Sequence, residues 1–201
     1  MNAAHTSVHG AEHGHGHSIS NEQHNHMLKF GWWLYIASEV MIFSSLIAVF
    51  MLAKRLYPAE EEHLVLPLVA FNTFLLLTSS WMVVRGLVSI QRGDQVGLQR
   101  ALMITVILGS IFLGIQIYEY NEFTHHGVTL TSSMYGSAFY IMTGFHGFHV
   151  FIGVLWALWA FFKALNGHYT AENNIGIELF GLYWHFVDVV WVVLFTLIYV
   201  M

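Results

Sequence analysis

The sequence predicts an all-α fold, an integral membrane bundle of five transmembrane helices with its N-terminus inside and its C-terminus outside. Three observations predict it. The 201 residues are 56% hydrophobic but only 9% charged, whereas a soluble domain carries about 25% charged residues. So few charges cannot cover a molecular surface in water, and lipid is the solvent for much of it. Five apolar runs each reach the ~20 residues that cross ~30 Å of hydrocarbon as an α-helix. Lysine and arginine then divide unevenly between the two ends of those runs.

Residues 1–27 stand apart. They are polar and hold seven of the fourteen histidines: His5, His9, His13, His15, His17, His24 and His26. Low hydrophobicity with scattered Gly and Ser predicts a disordered tail. It has neither the basic start nor the apolar centre of a signal peptide. A solvated tail explains its histidines more simply than a metal site does, since nothing fixes their geometry. The five-helix domain covers 28–201, with helices over about 28–53, 64–89, 97–119, 136–163 and 178–200. Strands are excluded at these lengths, because lipid offers no partner to open backbone groups. The linking segments are short and polar, so sequential helices are neighbours in one bundle. Lys29, Arg85, Arg92, Arg100 and Lys163 fall on one side and Lys54 and Arg55 on the other, which places the first side in the cytoplasm.

Composition also excludes functions. The chain has no cysteine, which removes disulfides, thiolate metal sites and thiol catalysis. A net charge of −5 without a basic stripe argues against nucleic acid as a partner.

Ionisable side chains at membrane depth normally face a partner, a cavity or a path. The candidates are Glu39 in the first run, His146 and His149 in the fourth, His185 and Asp188 in the fifth, and Glu119 at the far end of the third. His146 and His149 are three apart and share a helix face, and His185 and Asp188 have the same spacing. That spacing suggests that Asp188 bonds a histidine, either His185 or one from the fourth helix. Packing between helices explains these side chains better than metal or haem ligation, because no set of three or four ligands assembles. Glu39 reads as a lipid or subunit contact ahead of a proton relay. Small residues at Ser110 and Gly114, and at Gly144 and Gly147, mark places where backbones could approach. No nucleophile with a matched base is present, so no catalytic, cofactor-binding or metal residue is assigned.

The polar stretches also carry a resemblance. Thr143-Gly144-Phe145-His146-Gly147-Phe148-His149-Val150 resembles the TGFHG-x-HV signature of cytochrome c oxidase subunit III. Tyr183-Trp184-His185-Phe186-Val187-Asp188-Val189-Val190-Trp191 matches that family's YWHFVDVVW signature without a gap. Ser38-Glu39-Val40 with Phe43 resembles its SEV-x-x-F helix, Glu119-Tyr120 with Phe123 its EY…F segment, and Tyr135-Gly136-Ser137 its YGS helix start. The resemblance runs from about Lys29 to the end.

It implies a noncatalytic subunit of a proton-pumping haem–copper cytochrome c oxidase in the bacterial inner (plasma) membrane. Such a subunit packs on subunit I beside subunit II, binds phospholipid, and supports proton uptake and turnover stability. Haem and copper then belong to partner subunits, and cytochrome c or quinol is the electron donor to the complex. Glu39 falls at the family's buried glutamate, and His146, His149, His185 and Asp188 at its helix-packing polar positions. Many members have seven helices, of which the first two have no counterpart here. The alternatives are subunit III of a quinol oxidase, or a homologue accompanying a nitric oxide reductase. More distant ones are an independent membrane cytochrome and a metal transporter.

Overall fold

The computed structural model describes residues 21–57, 66–125, 127 and 129–200. Among these the chain forms five long helices: α1 (Asn21–Leu56), α2 (Leu66–Gln91), α3 (Gln95–His125), α4 (Met134–Leu165) and α5 (Ile175–Phe195). A π-helical segment, Thr196–Val200, continues α5 without a break. All five are long and apolar enough to cross a membrane.

The helices outrun the apolar stretches that predict them. α1 begins at Asn21, so residues 21–27, expected in the tail, are helical and include His24 and His26. Residues 1–20, with the other five tail histidines, lie outside the described residues. At ~1.5 Å per residue, the 36 residues of α1 span about 54 Å, well beyond ~30 Å of hydrocarbon. Once a helix is nucleated, each further residue adds a backbone bond. Polar flanks therefore extend the helix past the membrane boundary. The same reason carries α3 through Glu122 to His125.

The ends are fixed by local chemistry. Asp94 caps α3 by accepting the Gly97 amide at 2.9 Å. Ser133 caps α4 by accepting the Gly136 amide at 3.0 Å. α4 closes in a left-handed turn at Gly167 (φ 68°). There the His168 amide reaches the Lys163 carbonyl and the Gly167 amide reaches Ala164, a pairing that needs a residue free to take positive φ. Past that turn Tyr169 is buried in the α4–α5 connection, and burial holds its phenol above its ordinary pKa. Its carbonyl accepts the Gln95 side-chain amide, which ties the connection to α3.

α5 is the hub. It packs on α2, α4 and α1, while α2 lies along α3, α3 along α4 and α4 along α1. Of an apolar 18-residue stretch of its span 56% is buried, against 28% for such a stretch of α1 and of α2. Trp184 and Trp191 fill the centre and are fully buried. Each indole N–H must find an acceptor there. Trp184 donates to the Ser79 hydroxyl and Trp191 to the Thr73 hydroxyl, both at 2.9 Å and both on α2.

Close approach occurs at Gly147, one of the positions the spacing marks, where a Cβ would sit 3.1 Å from the Gln116 side chain, and more tightly around Trp184, which the spacing does not mark. A Cβ on Gly153 would sit 2.5 Å from the Trp184 ring, and one on Gly109 would sit 3.0 Å from it. Gly114 has open space instead, and Gly144 has only the Tyr120 hydroxyl at 3.8 Å. A spacing pattern marks small residues but does not say which face meets a large side chain.

Candidate functional site at the middle of the bundle

Glu39 lies near the midpoint of α1 and His149 near the midpoint of α4. The packing of these helices brings the two together. His149 Nε2 is 3.3 Å from Glu39 Oε2, and the side chains are only 6% and 12% exposed. The other ring nitrogen, Nδ1, is 2.8 Å from the Phe145 carbonyl oxygen. A carbonyl can only accept, so Nδ1 carries a hydrogen. Nε2 then has two options. It is bare and accepts from a protonated Glu39, or it is protonated and faces a carboxylate. Either arrangement carries no net charge, although Glu39 Oε2 makes no well-aligned hydrogen bond at this distance. A second proton, or none, would leave a net charge inside the bundle, where it is costly.

Aromatic rings wall the pair. Phe43 and Phe145 lie 5.2 and 4.6 Å from the His149 ring, centre to centre. The Tyr35 hydroxyl reaches Glu39 from one turn earlier on α1. Tyr183 of α5 donates to the His149 carbonyl at 2.9 Å, and Trp32 packs on Tyr35, Trp156 and Tyr183. Three helices therefore meet at this pair.

The other predicted residues fall into separate places. His146 shares α4 with His149 but faces inward. It is fully buried, stacked on Trp191 at 5.0 Å and edged by Phe112 at 6.0 Å. Neither of its nitrogens has a hydrogen-bond partner. Glu119 lies at one end of the bundle, where it accepts the Tyr199 hydroxyl at 2.5 Å. Lys54 donates to the Leu197 and Ile198 carbonyls in the same end layer, in the π-helical segment.

His185 and Asp188 line one groove with Ser80 of α2. The expected direct bond between Asp188 and a histidine is absent. Ser80 takes that place for His185, its hydroxyl lying 2.5 Å from Nδ1. Asp188 is 4% exposed. Neither of its oxygens meets strict hydrogen-bond geometry, although the Ser80 hydroxyl also faces it.

A reading restricted to ionisable groups passes over several buried polar partners. Gln116 donates to the Thr143 carbonyl at 3.2 Å and Tyr120 to the Thr143 hydroxyl at 2.8 Å. Asn72 donates to the Phe112 carbonyl at 3.3 Å. The available signal was a neutral amide inside an apolar run. Among the described residues no group of three or more His, Asp or Glu is placed to hold a metal ion.

Comparison with known proteins agrees with this architecture. The cytochrome c oxidase subunit III family matches residues 8–201. The chain belongs to the cytochrome c oxidase subunit III family. The cytochrome c oxidase subunit 3 of Synechocystis sp. is 37% identical over 193 residues, covering 92% of this chain and 81% of that protein. The protein of the same name from Bacillus sp. (strain PS3) is 40% identical over 174 residues, covering 85% and 84%. That of Thermostichus vulcanus is 36% identical over 183 residues, covering 89% and 90%. Family membership and five membrane-crossing helices make this a multi-pass protein of the bacterial inner membrane. As a subunit III it works within a complex of oxidase subunits.

Proposed function

We propose that this chain is the noncatalytic subunit III of a proton-pumping haem–copper oxidase that takes its electrons from cytochrome c. It packs on subunit I, holds phospholipid and supports proton uptake and stability during turnover. The observation that carries this reading is the family match over residues 8–201, with relatives named for cytochrome c. The geometry supports it in two ways. Two of the mid-membrane ionisable groups lie on side chains of other helices: Glu39 on His149, and His185 on Ser80. His146 is enclosed by rings, which suits packing. Haem and copper are then the property of partner subunits.

In this reading the neutral Glu39–His149 pair fastens α1 to α4 beside the lipid and subunit I contacts. The apolar outer faces, such as Met41 and Ile117, which are 72% and 69% exposed, are covered by lipid and by other subunits. The direct test is gentle affinity purification of this chain from its native membrane. The expected result is an oxidase visible spectrum, peptides of a large catalytic subunit, and turnover with reduced cytochrome c. A complex that turns over only with quinol would reassign the donor. A colourless chain that purifies alone would overturn the reading.

A further inference from the structure

A groove of about 270 Å³ opens between α2 and α3 at the end of the bundle that holds their connection. Two arginines line it, Arg85 from α2 and Arg100 from α3. At ~1.5 Å per residue, Arg85 lies about 9 Å inside the end of α2 at Gln91, and Arg100 about 8 Å inside the start of α3 at Gln95. The two cations therefore occupy one layer, near the boundary between headgroups and hydrocarbon. Neither forms an ion pair among the described residues. Asp94, the acid in the same lining, lies beyond ion-pair reach of both and accepts the Gly97 amide at 2.9 Å. Trp81, 57% exposed, carries the Arg85 guanidinium over its ring at 5.1 Å. That contact takes the flat face of the cation and leaves its in-plane N–H donors for the groove. Two like charges at this depth repel each other, and an anion between them would turn that cost into attraction.

We propose that this groove binds the phosphate of a membrane phospholipid, with Arg85 and Arg100 donating to it from either side. The proposal rests on the reading of the chain as a phospholipid-holding subunit, and it names a site and the group recognised. The fork of N–H donors on a guanidinium matches the oxygens of a phosphate. The lining is also graded along the helices in the order a lipid needs. Ser89 and Asp94 lie toward the connection, the arginines come next, and Met82 and Ile104 lie deeper in the membrane. Headgroup, phosphate and acyl chain follow the same order. Asp94 stands at the headgroup end, where an ethanolamine or glycerol headgroup has hydrogens to give it. A free anion would use the arginines alone and leave the apolar end of the groove without a purpose. A carboxylate on a partner helix would have to be carried at membrane depth, at a cost, whereas the bilayer supplies phosphate in this layer. The groove is separate from the Glu39–His149 pair, since α1 packs on α4 and α5.

The experiment uses the intact purified complex, supplied with a phosphatidylglycerol that carries a diazirine on one acyl chain near the glycerol. Irradiation is expected to label the peptides that hold Met82 or Ile104. Unlabelled phosphatidylglycerol is expected to compete the label away, and diacylglycerol with the same chains, which lacks the phosphate, to leave it in place. Arg85→Gln combined with Arg100→Gln is expected to lower the label about tenfold, the factor that two cations near a charged lipid surface supply. Arg92→Gln, outside the groove lining, is expected to leave it within about twofold, since an exposed charge is screened. Equal competition by diacylglycerol, or an undiminished label in the double variant, overturns the proposal. Displacement of the label by inorganic phosphate alone also overturns it and assigns the groove to a soluble anion. A label that appears only after another subunit is stripped away overturns it too, because a partner then fills the groove. An intact oxidase spectrum without the groove label overturns the site and leaves the subunit reading standing. The groove label on a complex without haem overturns the subunit reading and leaves the site.

Discussion

At the scale of single residues, one proton between Glu39 and His149 has consequences that separate substitutions by what they can donate. Glu39→Gln keeps a donor toward His149 Nε2, so the expected loss of stability is below ~1 kcal/mol. Glu39→Leu leaves a buried nitrogen unpaired, at an expected cost of about 1–3 kcal/mol. His149→Leu leaves the carboxyl group alone and costs a similar amount. The double substitution is expected to cost less than the sum of the two, because removing both partners leaves nothing unsatisfied. Thermal unfolding of the purified complex, run on all four variants, measures this. Simple additivity would show that the two side chains act independently. The pairing itself is not readable from the sequence. Glu39 and His149 stand out separately as ionisable residues within apolar runs, but their meeting depends on how α1 lies on α4, and nothing local records that. The i, i+3 spacing of His185 and Asp188 is local, yet it misleads: it places two side chains on one face without aiming them at each other. Ser80, on another helix, receives the histidine instead.

At the scale of elements, the indole of Trp184 organises three helices. It donates to Ser79 of α2 and lies against Gly109 of α3 and Gly153 of α4. Gly153→Ala places a methyl group 2.5 Å from that ring and is expected to destabilise by about 1–3 kcal/mol through overpacking. Gly114→Ala meets open space and is expected to be neutral or slightly stabilising, since alanine favours helix. Thermal unfolding in detergent compares the two, and equal effects would remove Trp184 as the wedge. Trp184→Phe, which keeps the ring and drops the N–H, is expected to cost about 1 kcal/mol by leaving the buried Ser79 hydroxyl without its donor. The five helices were legible because apolar length alone decides a membrane crossing. Their ends were less so, since residues 21–27 and 120–125 are polar by composition and helical by continuation. The glycines were the least legible. Gly147 lies against Gln116 and Gly144 against nothing closer than 3.8 Å although both belong to one spacing motif, whereas Gly109 and Gly153 owe their tight contacts to a tryptophan on another helix.

At the scale of the whole molecule, the odd number of crossings puts the two ends of the bundle on opposite sides of the membrane. We propose that the charge distribution selects the side. Five basic residues, Lys29, Arg85, Arg92, Arg100 and Lys163, lie toward the end that holds the α2–α3 and α4–α5 connections. Two, Lys54 and Arg55, lie toward the other. Lys29 also pairs with Glu178 at 2.7 Å across the start of α1 and α5, and leaving it out makes the bias four against two. It still points the same way, because retention of positive charge in the cytoplasm acts on lysine and arginine near the ends of the spans. The chain has no cysteine, so single cysteines report position without background. Asn173→Cys in the α4–α5 connection and Thr131→Cys in the α3–α4 connection are both at exposed positions. In spheroplasts, a membrane-impermeant maleimide is expected to label Thr131→Cys at once and Asn173→Cys only after lysis. The reverse pattern would invert the bundle in the membrane. Labelling of both in sealed spheroplasts would mean that α4, which lies between these two connections, does not cross the membrane.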